Sequence, residues 1–417
     1  MKPTIPATLY PLSSIRHPLP SILYLLWGAF LIWQALCLAP DTWSTLRFGT
    51  LGAVQFPTRP GFLLCGALAL STGVACALAR PMSRWHTRSL WLNALGVVMI
   101  ALVWASMGRR LEVLGIVTQS IRLATPIALG ALAGILSERC GVVNIAIEGM
   151  MLSAACAGFT VALYTQESWV GVLAAVLTGG AMAALHAVLA LHARVDQIIS
   201  GTVINMLAVG LTGFIRRTFL LHTAHAAPTL LPVWPLPFLS EIPVLGRLFF
   251  HQQPIVYSMF VLVVVVHLVL FTTRWGLRTR AVGEHPQAAD TLGVSVITMR
   301  YGNVVAGGMI AGLGGAWFSL ETVGSFEDLM TSGKGFIALA AMIFGNWNPL
   351  GALAGALLFG LSDALQIKLQ IVGVEVPYQF LGMLPYLVTM IVLAGVVGRT
   401  RSPAASGRPY RRDTAAL

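Results

Sequence analysis

The chain has 417 residues, 57% of them hydrophobic and 10% charged, with a mean hydropathy of +0.80 and a formal net charge of +11. A soluble domain carries about 25% charged residues, so the composition excludes an ordinary soluble fold and specifies a polytopic membrane protein. The basic excess is mostly arginine set between apolar runs, with no continuous basic stripe interleaved with aromatics, which excludes a nucleic-acid-binding surface.

Runs of roughly 18–25 apolar residues cross a bilayer as helices. In chain order, apolar segments lie at 21–40, 61–79, 88–107, 121–137, 144–163, 169–193, 199–215, 255–272, 301–320, 334–345, 349–366 and 381–397. The fold is therefore read as all-α, with about 10–12 transmembrane or re-entrant helices; segment 334–345 is short for a full crossing. No small-residue cleavage site follows the first segment, and Leu36 before Cys37 is wrong for lipoprotein processing, so the first helix is expected to be retained. The cysteines, Cys37, Cys65, Cys76, Cys140 and Cys156, form no CxxC pair and read as small buried hydrophobes rather than disulfides or zinc ligands.

The loops set the orientation. Basic clusters at 80–88, at 274–300 and in the tail place the N- and C-termini on the cytoplasmic side. Arg109, Arg110, Arg216 and Arg217 fall on the opposite side. The Pro-rich loop 218–253 is external; its HTAH (222–225) has no third ligand nearby, so no metal site is expected. The tail 399–417 is basic and Pro/Ser/Gly-containing, and is expected to be disordered. Small residues recur at four-residue spacing in GGMIAGLGGAW (307–317) and GALAGALLFG (351–360), which lets helix backbones approach closely.

Two carboxylates lie within the apolar runs, Glu148 and Asp363. An ionised carboxylate at a helix centre costs on the order of 2.5–3.5 kcal/mol, so such groups face protein or water. Asp363 is near the end of its run, with Lys368 beyond. In ERCGVVNIAIEGMM (138–151), Glu148 follows Asn144 by four residues, a spacing that on a helix puts both on one face. That face either makes an interhelical hydrogen bond or lines a solute path. Asn205, in DQIISGTVINM (196–206), is a second buried amide, preceded by Ser200. Asn144, Glu148, Ser200 and Asn205 are the candidate path residues; hydroxyls count less, because they often bond their own helix.

Catalytic signatures are missing. SGKG (332–335) lacks the upstream glycine of a phosphate-binding loop, and there is no G-x-S-x-G or HExxH. No catalytic residue, metal or cofactor is expected, and the energy for active transport must come from an ion gradient or another subunit. Within the loop 274–296, AVGEHPQAADTLGV has Pro286 placed for the first turn of a short surface helix between Gly283 and Gly293. Such an element is either a docking site or an ordinary connector.

Three stretches carry a family resemblance: RLATPIALGALAGILSERCGVVNIAIEGMMLSAACAG (122–158), DQIISGTVINMLAVGLT (196–212) and RWGLRTRAVGEHPQAADTLGVSVITMRYGNVVAGGMIAGLGGAW (274–317). Together they resemble the permease subunits of bacterial ATP-binding-cassette (ABC) importers of the simple-sugar, nucleoside and branched-chain amino-acid branch, nearest to nucleoside permeases. The resemblance implies a type II importer-like helical bundle in the bacterial inner (plasma) membrane. It implies a transmembrane domain over 111–398, preceded by an extension (1–110) with about three helices that the family pattern does not place. It makes loop 274–296 the coupling loop, with Gly283, Glu284, Ala288, Ala289, Asp290 and Gly293 at the contact; His285 stands where the family often has Asn. The implied partners are a cytoplasmic ATP-binding subunit, which holds the ATP, a second permease subunit and an extracytoplasmic substrate-binding protein. The implied solute is nucleoside or purine-like, then simple sugar. An ion-coupled secondary transporter using Glu148 is the alternative.

Overall fold

The computed structural model describes residues 18–38, 42–47, 52–78, 110–223, 226–372, 379, 382–383 and 401–410. The expected segment 88–107, most of 381–397 and His225 of the HTAH stretch lie outside the described residues. The chain divides into two compact units, one of residues 1–116 and 365–398, the other of 117–364 and 399–417.

In the first unit, helices α1 (Pro18–Cys37) and α2 (Thr58–Leu78) pack around Leu31, Ala35 and Phe62. The chain between them is not a loop but a hairpin of β1 (Trp43–Arg47) and β2 (Ala53–Pro57), which β3 (Arg110–Glu112) joins parallel to β1. The all-α expectation missed this small sheet because five-residue strands leave little trace beside long apolar runs. The buried hydroxyls of Ser44 and Thr58 bond each other at 2.8 Å and tie the hairpin to α2.

The second unit is a helical bundle. Its long helices are α3 (Val113–Arg139, entering from the first unit), α4 (Ile147–Thr165), α5 (Ser168–His192) and α6 (Gln197–Leu220). They are followed by α8 (Pro254–Thr272), α11 (Val296–Val323) and α13 (Pro349–Val372, which runs on into the first unit). Seven helices among the described residues are thus long and apolar enough to cross a membrane. The central one is α3: Ile127, Leu129, Leu132 and Ile135 are fully buried, as expected of a helix apolar on every side. By contrast, α6 exposes Ile199, Val203 and Phe214, and α8 exposes Val261 and Val264. These apolar faces suit contact with lipid.

Glycines set the tightest crossing. A β-carbon on Gly308 of α11 would lie 2.1 Å from Ala183 Cβ of α5, and one on Gly179 would lie 2.3 Å from the Gly308 carbonyl. Short elements complete the unit. The 218–253 region holds α7 (Leu245–Phe249) and the paired strands β4 (Trp234–Pro235) and β5 (His251–Gln252). The loop before α11 forms α9 (Arg274–Glu284) and α10 (Pro286–Thr291), with Pro286 in the first turn. Helix α12 (Lys334–Phe344) has 11 residues, a rise of about 16 Å, or half a bilayer core. Residues 401–410, for which composition predicts no structure, pack against this unit through hydrogen bonds described below.

Candidate functional site

Helices α4 and α12 meet with their first turns in contact. The Glu148 carboxylate, in the first turn of α4, accepts the amide N–H groups of Gly333 (2.8 Å) and Gly335 (2.6 Å) and the Thr331 hydroxyl (2.6 Å). The first N–H groups of a helix have no partner within it, and its dipole favours a negative charge there. Glu148 therefore supplies to α12 what a bound phosphate supplies to a phosphate-binding loop. The SGKG stretch, unfit as an ATP site, is the amide cradle of this internal carboxylate. A β-carbon on Gly335 would lie 2.6 Å from Glu148 Cα, so only glycine permits the approach.

The opposite first turn is satisfied in the same way by an amide. Asn205 of α6 accepts from the Gly149 N–H at 2.8 Å and donates to the Ile145 carbonyl at 3.0 Å. Asn144 does not share a helical face with Glu148, because α4 begins only at Ile147. A turn at Gly141 (φ +89°) instead leads into an irregular stretch, where Asn144 accepts from the Ala146 N–H and donates to Ser137 Oγ. Ser200 is buried in a hydrogen bond with His186, whose other ring nitrogen bonds the Val143 carbonyl.

Beside the two first turns lies a cavity of about 740 Å³. Glu148 and Asn205 line it, with Thr202, Met206, Ser332 and Phe336; Asn144 and Ser200 are absent from its wall. It is mostly apolar, with the Glu148 carboxylate and a few uncharged polar groups, the usual make-up of a small-molecule site.

The other end of α12 is gripped by the same stretch of sequence. Trp347 donates from Nε1 to buried Glu138 at 2.6 Å, and Arg139 donates to the carbonyls of Trp347 (3.0 Å) and Asn346 (3.3 Å). Asn346 and Trp347 both hold left-handed backbone (φ +52° and +53°), so these bonds fix a strained elbow. Residues 138–148 thus hold both ends of α12. Lys334, at its start, pairs with Asp363 of α13. Sequence reading pointed to Lys368 as the neighbour of Asp363 and passed over Lys334, because it sits at the boundary of an apolar run. Glu321 was also missed, one residue past the segment 301–320; its Oε2 accepts the Ile255 N–H at the start of α8.

The six residues that the resemblance places at the coupling contact fall on α9, α10 and the turn after them. Glu284, Ala288 and Gly293 are exposed, Asp290 is half-buried, and Gly283 and Ala289 face inward. The element is anchored to α11 by Asn303, which donates to Thr279 Oγ1 at 3.1 Å and accepts from Trp275 Nε1 at 3.3 Å.

The model of the branched-chain amino acid transport system permease component matches residues 116–394. Among curated proteins, the chain is 40% identical over 304 residues to the nucleoside ABC transporter permease protein NupC of Lactococcus lactis, covering 71% of this chain and 96% of the relative. It is 39% identical over 309 residues to the guanosine ABC transporter permease protein NupQ of Bacillus subtilis, with the same two coverages of 71% and 96%. It is 36% identical over 324 residues to a putative glucose ABC transporter permease protein, TsgC13, of Haloferax volcanii, covering 72% and 98%. No solved structure matches the chain. With the match spanning α3 to α13 and a bundle of membrane-length helices, two of which line the cavity, the chain belongs to the family of branched-chain amino acid transport system permease components.

Proposed function

We propose that the chain is the membrane subunit of an ATP-driven importer in the plasma membrane, and that its solute is a nucleoside or a purine-like compound, with simple sugars second. The observation that carries this reading is the identity of 40% and 39% to permeases named for nucleoside and guanosine, each covered over 96% of its length. The cavity supports it. Thr202, Asn205 and Ser332 offer uncharged polar groups beside the ring of Phe336, a lining suited to a neutral solute with hydroxyls and a flat base.

In this reading a separate cytoplasmic subunit binds and hydrolyses ATP and seats on the loop 274–296. Glu284, Ala288, Asp290 and Gly293 face it, and Gly283 and Ala289 pack behind them. A second permease subunit completes the path, and an extracytoplasmic binding protein delivers solute to the 218–253 face. Both termini lie on the cytoplasmic side. The alternative of Glu148 as a proton carrier fits less well: its carboxylate is already engaged by three donors from residues 331–335, which gives it a structural role.

The test is reconstitution of the permease with candidate ATPase subunits in liposomes containing the binding protein. Uptake of labelled guanosine is expected to require ATP and the ATPase subunit, and to exceed glucose uptake. Uptake that needs no ATPase and collapses with the proton gradient would overturn the reading.

A further inference from the structure

The C-terminal segment lies beyond the family match, which ends at residue 394, yet it is bonded to the element that the resemblance assigns to coupling. The Ala405 N–H donates to the Gly283 carbonyl at 2.9 Å, and the Ala404 N–H to Glu284 Oε2 at 3.3 Å. The Tyr410 hydroxyl donates to Asp290 Oδ2 at 2.8 Å. Three further bonds fix the segment to the rest of the unit: Gly407 N–H to the Gly141 carbonyl (3.2 Å), Arg401 N–H to Asn346 Oδ1 (3.2 Å), and Arg300 Nη1 to the Arg408 carbonyl (3.1 Å).

These contacts fall on one side of the coupling element. Pro403 and Ala405 are buried, and Tyr410 packs on a small apolar cluster of Val282, Ala289, Val296 and Met299. The opposite side stays open: Gln287, Ala288 and Gly293 are exposed, and Leu292 is 84% exposed. Arg401 and Arg408, on the segment itself, are exposed as well. A six-residue helix such as Pro286–Thr291 is too short to persist unaided. Arg300, with 0% exposure, takes one of its two carbonyl partners from the segment and the other from Cys140. The segment is thus part of what holds the element in place.

We propose that residues 401–410 brace the coupling element from behind and, with the open face at Gln287, Ala288 and Leu292, form one continuous docking surface for the ATPase subunit. This rests on the coupling role proposed above for 274–296. The surface has a protruding leucine on the coupling element and two exposed arginines on the segment. It fits a soluble protein with an apolar pocket for Leu292 and acidic groups at its rim for Arg401 and Arg408.

The test uses the full-length permease co-expressed with its ATPase subunit. Ala405→Trp forces the buried small residue out; the pair Arg401→Glu with Arg408→Glu changes only exposed side chains; Leu292→Arg tests the coupling element itself. ATPase affinity is read by titration onto immobilised permease. Hydrogen exchange of residues 281–294 is read on the permease alone. Ala405→Trp is expected to weaken affinity about tenfold, or about 1.4 kcal/mol, and to raise exchange across 281–294. The arginine pair is expected to weaken affinity by a similar factor with unchanged exchange, and to lose most of the salt dependence. If both tail variants bind like the parent while Leu292→Arg abolishes binding, the tail proposal falls and the coupling reading stands. If Leu292→Arg also binds like the parent, the coupling reading falls and the tail proposal with it. Should Ala405→Trp fail to fold, the arginine pair decides.

Discussion

Glu148 and Gly335 stand 187 residues apart in sequence and 2.6 Å apart in space, carboxylate oxygen to amide nitrogen. This contact joins the first turns of two helices and gives an apolar run a reason to keep a charge. Glu148→Gln replaces one acceptor oxygen with an NH2 group aimed at donors. The expected cost is about 1–3 kcal/mol, since donors are left unpaired in a buried setting. It should appear as a lowered unfolding temperature of the detergent-solubilised protein, with ATPase association retained. A variant as stable as the parent but inactive in uptake would instead give Glu148 a direct role toward solute.

The grip on the far end of α12 is equally specific. Trp347→Phe removes the donor to Glu138 while keeping an aromatic ring, with an expected loss of about 1–3 kcal/mol. If α12 is held as one rigid piece, Glu148→Gln and Trp347→Phe are not independent, although they act at opposite ends. A double-mutant cycle on thermal stability should give an interaction energy above about 0.5 kcal/mol. Strict additivity would show that each end is held separately.

Lys334 and Asp363 form a largely buried ion pair. Removing one partner strands the other charge, whereas removing both strands none. Lys334→Met alone is expected to cost about 3–5 kcal/mol, and Lys334→Met combined with Asp363→Leu to recover most of that. Thermal unfolding of the three proteins checks it. A double variant no better than the single one would show that the lysine contributes something beyond charge balance.

The spans were legible because length and apolarity act locally: all eight apolar segments between 121 and 366 correspond to helices, including the half-length one at 334–345. The placement of Pro286 in a first turn was legible for the same reason. What joins the helices was not. Asn144 and Glu148 carry an i, i+4 spacing that means one face only if a helix contains both, and the turn at Gly141 delays the helix to Ile147. The partners of Glu148, Glu138 and Asp363 lie on remote segments, and no periodicity in one stretch encodes a bond to another. Basic, glycine-containing tails read as disordered by composition, yet 401–410 is held largely through its backbone, by amides and a carbonyl that composition does not register.

Cys140 offers a probe of the core beneath the tail. It is fully buried, and burial pushes its thiol from the ordinary 9.0 up to about 12, against a smaller downward pull from Arg300. The raised value means that the folded protein holds a neutral thiol where the unfolded chain would hold a thiolate. The sign follows: this site leaves stability unchanged below the ordinary value and lowers it as pH rises from about 9 toward 12. In a variant with Cys37, Cys65, Cys76 and Cys156 changed to serine, maleimide should not label Cys140 in the native state near neutral pH. Between about pH 7 and 9 the native labelling rate should stay far below that of the denatured protein at the same pH, because burial keeps the thiolate fraction of Cys140 well under that of an ordinary thiol. Denaturant should make labelling complete. Native labelling nearly as fast as that in denaturant would show that residues 137–141 open readily, and that Arg300 is not permanently enclosed between the Cys140 and Arg408 carbonyls.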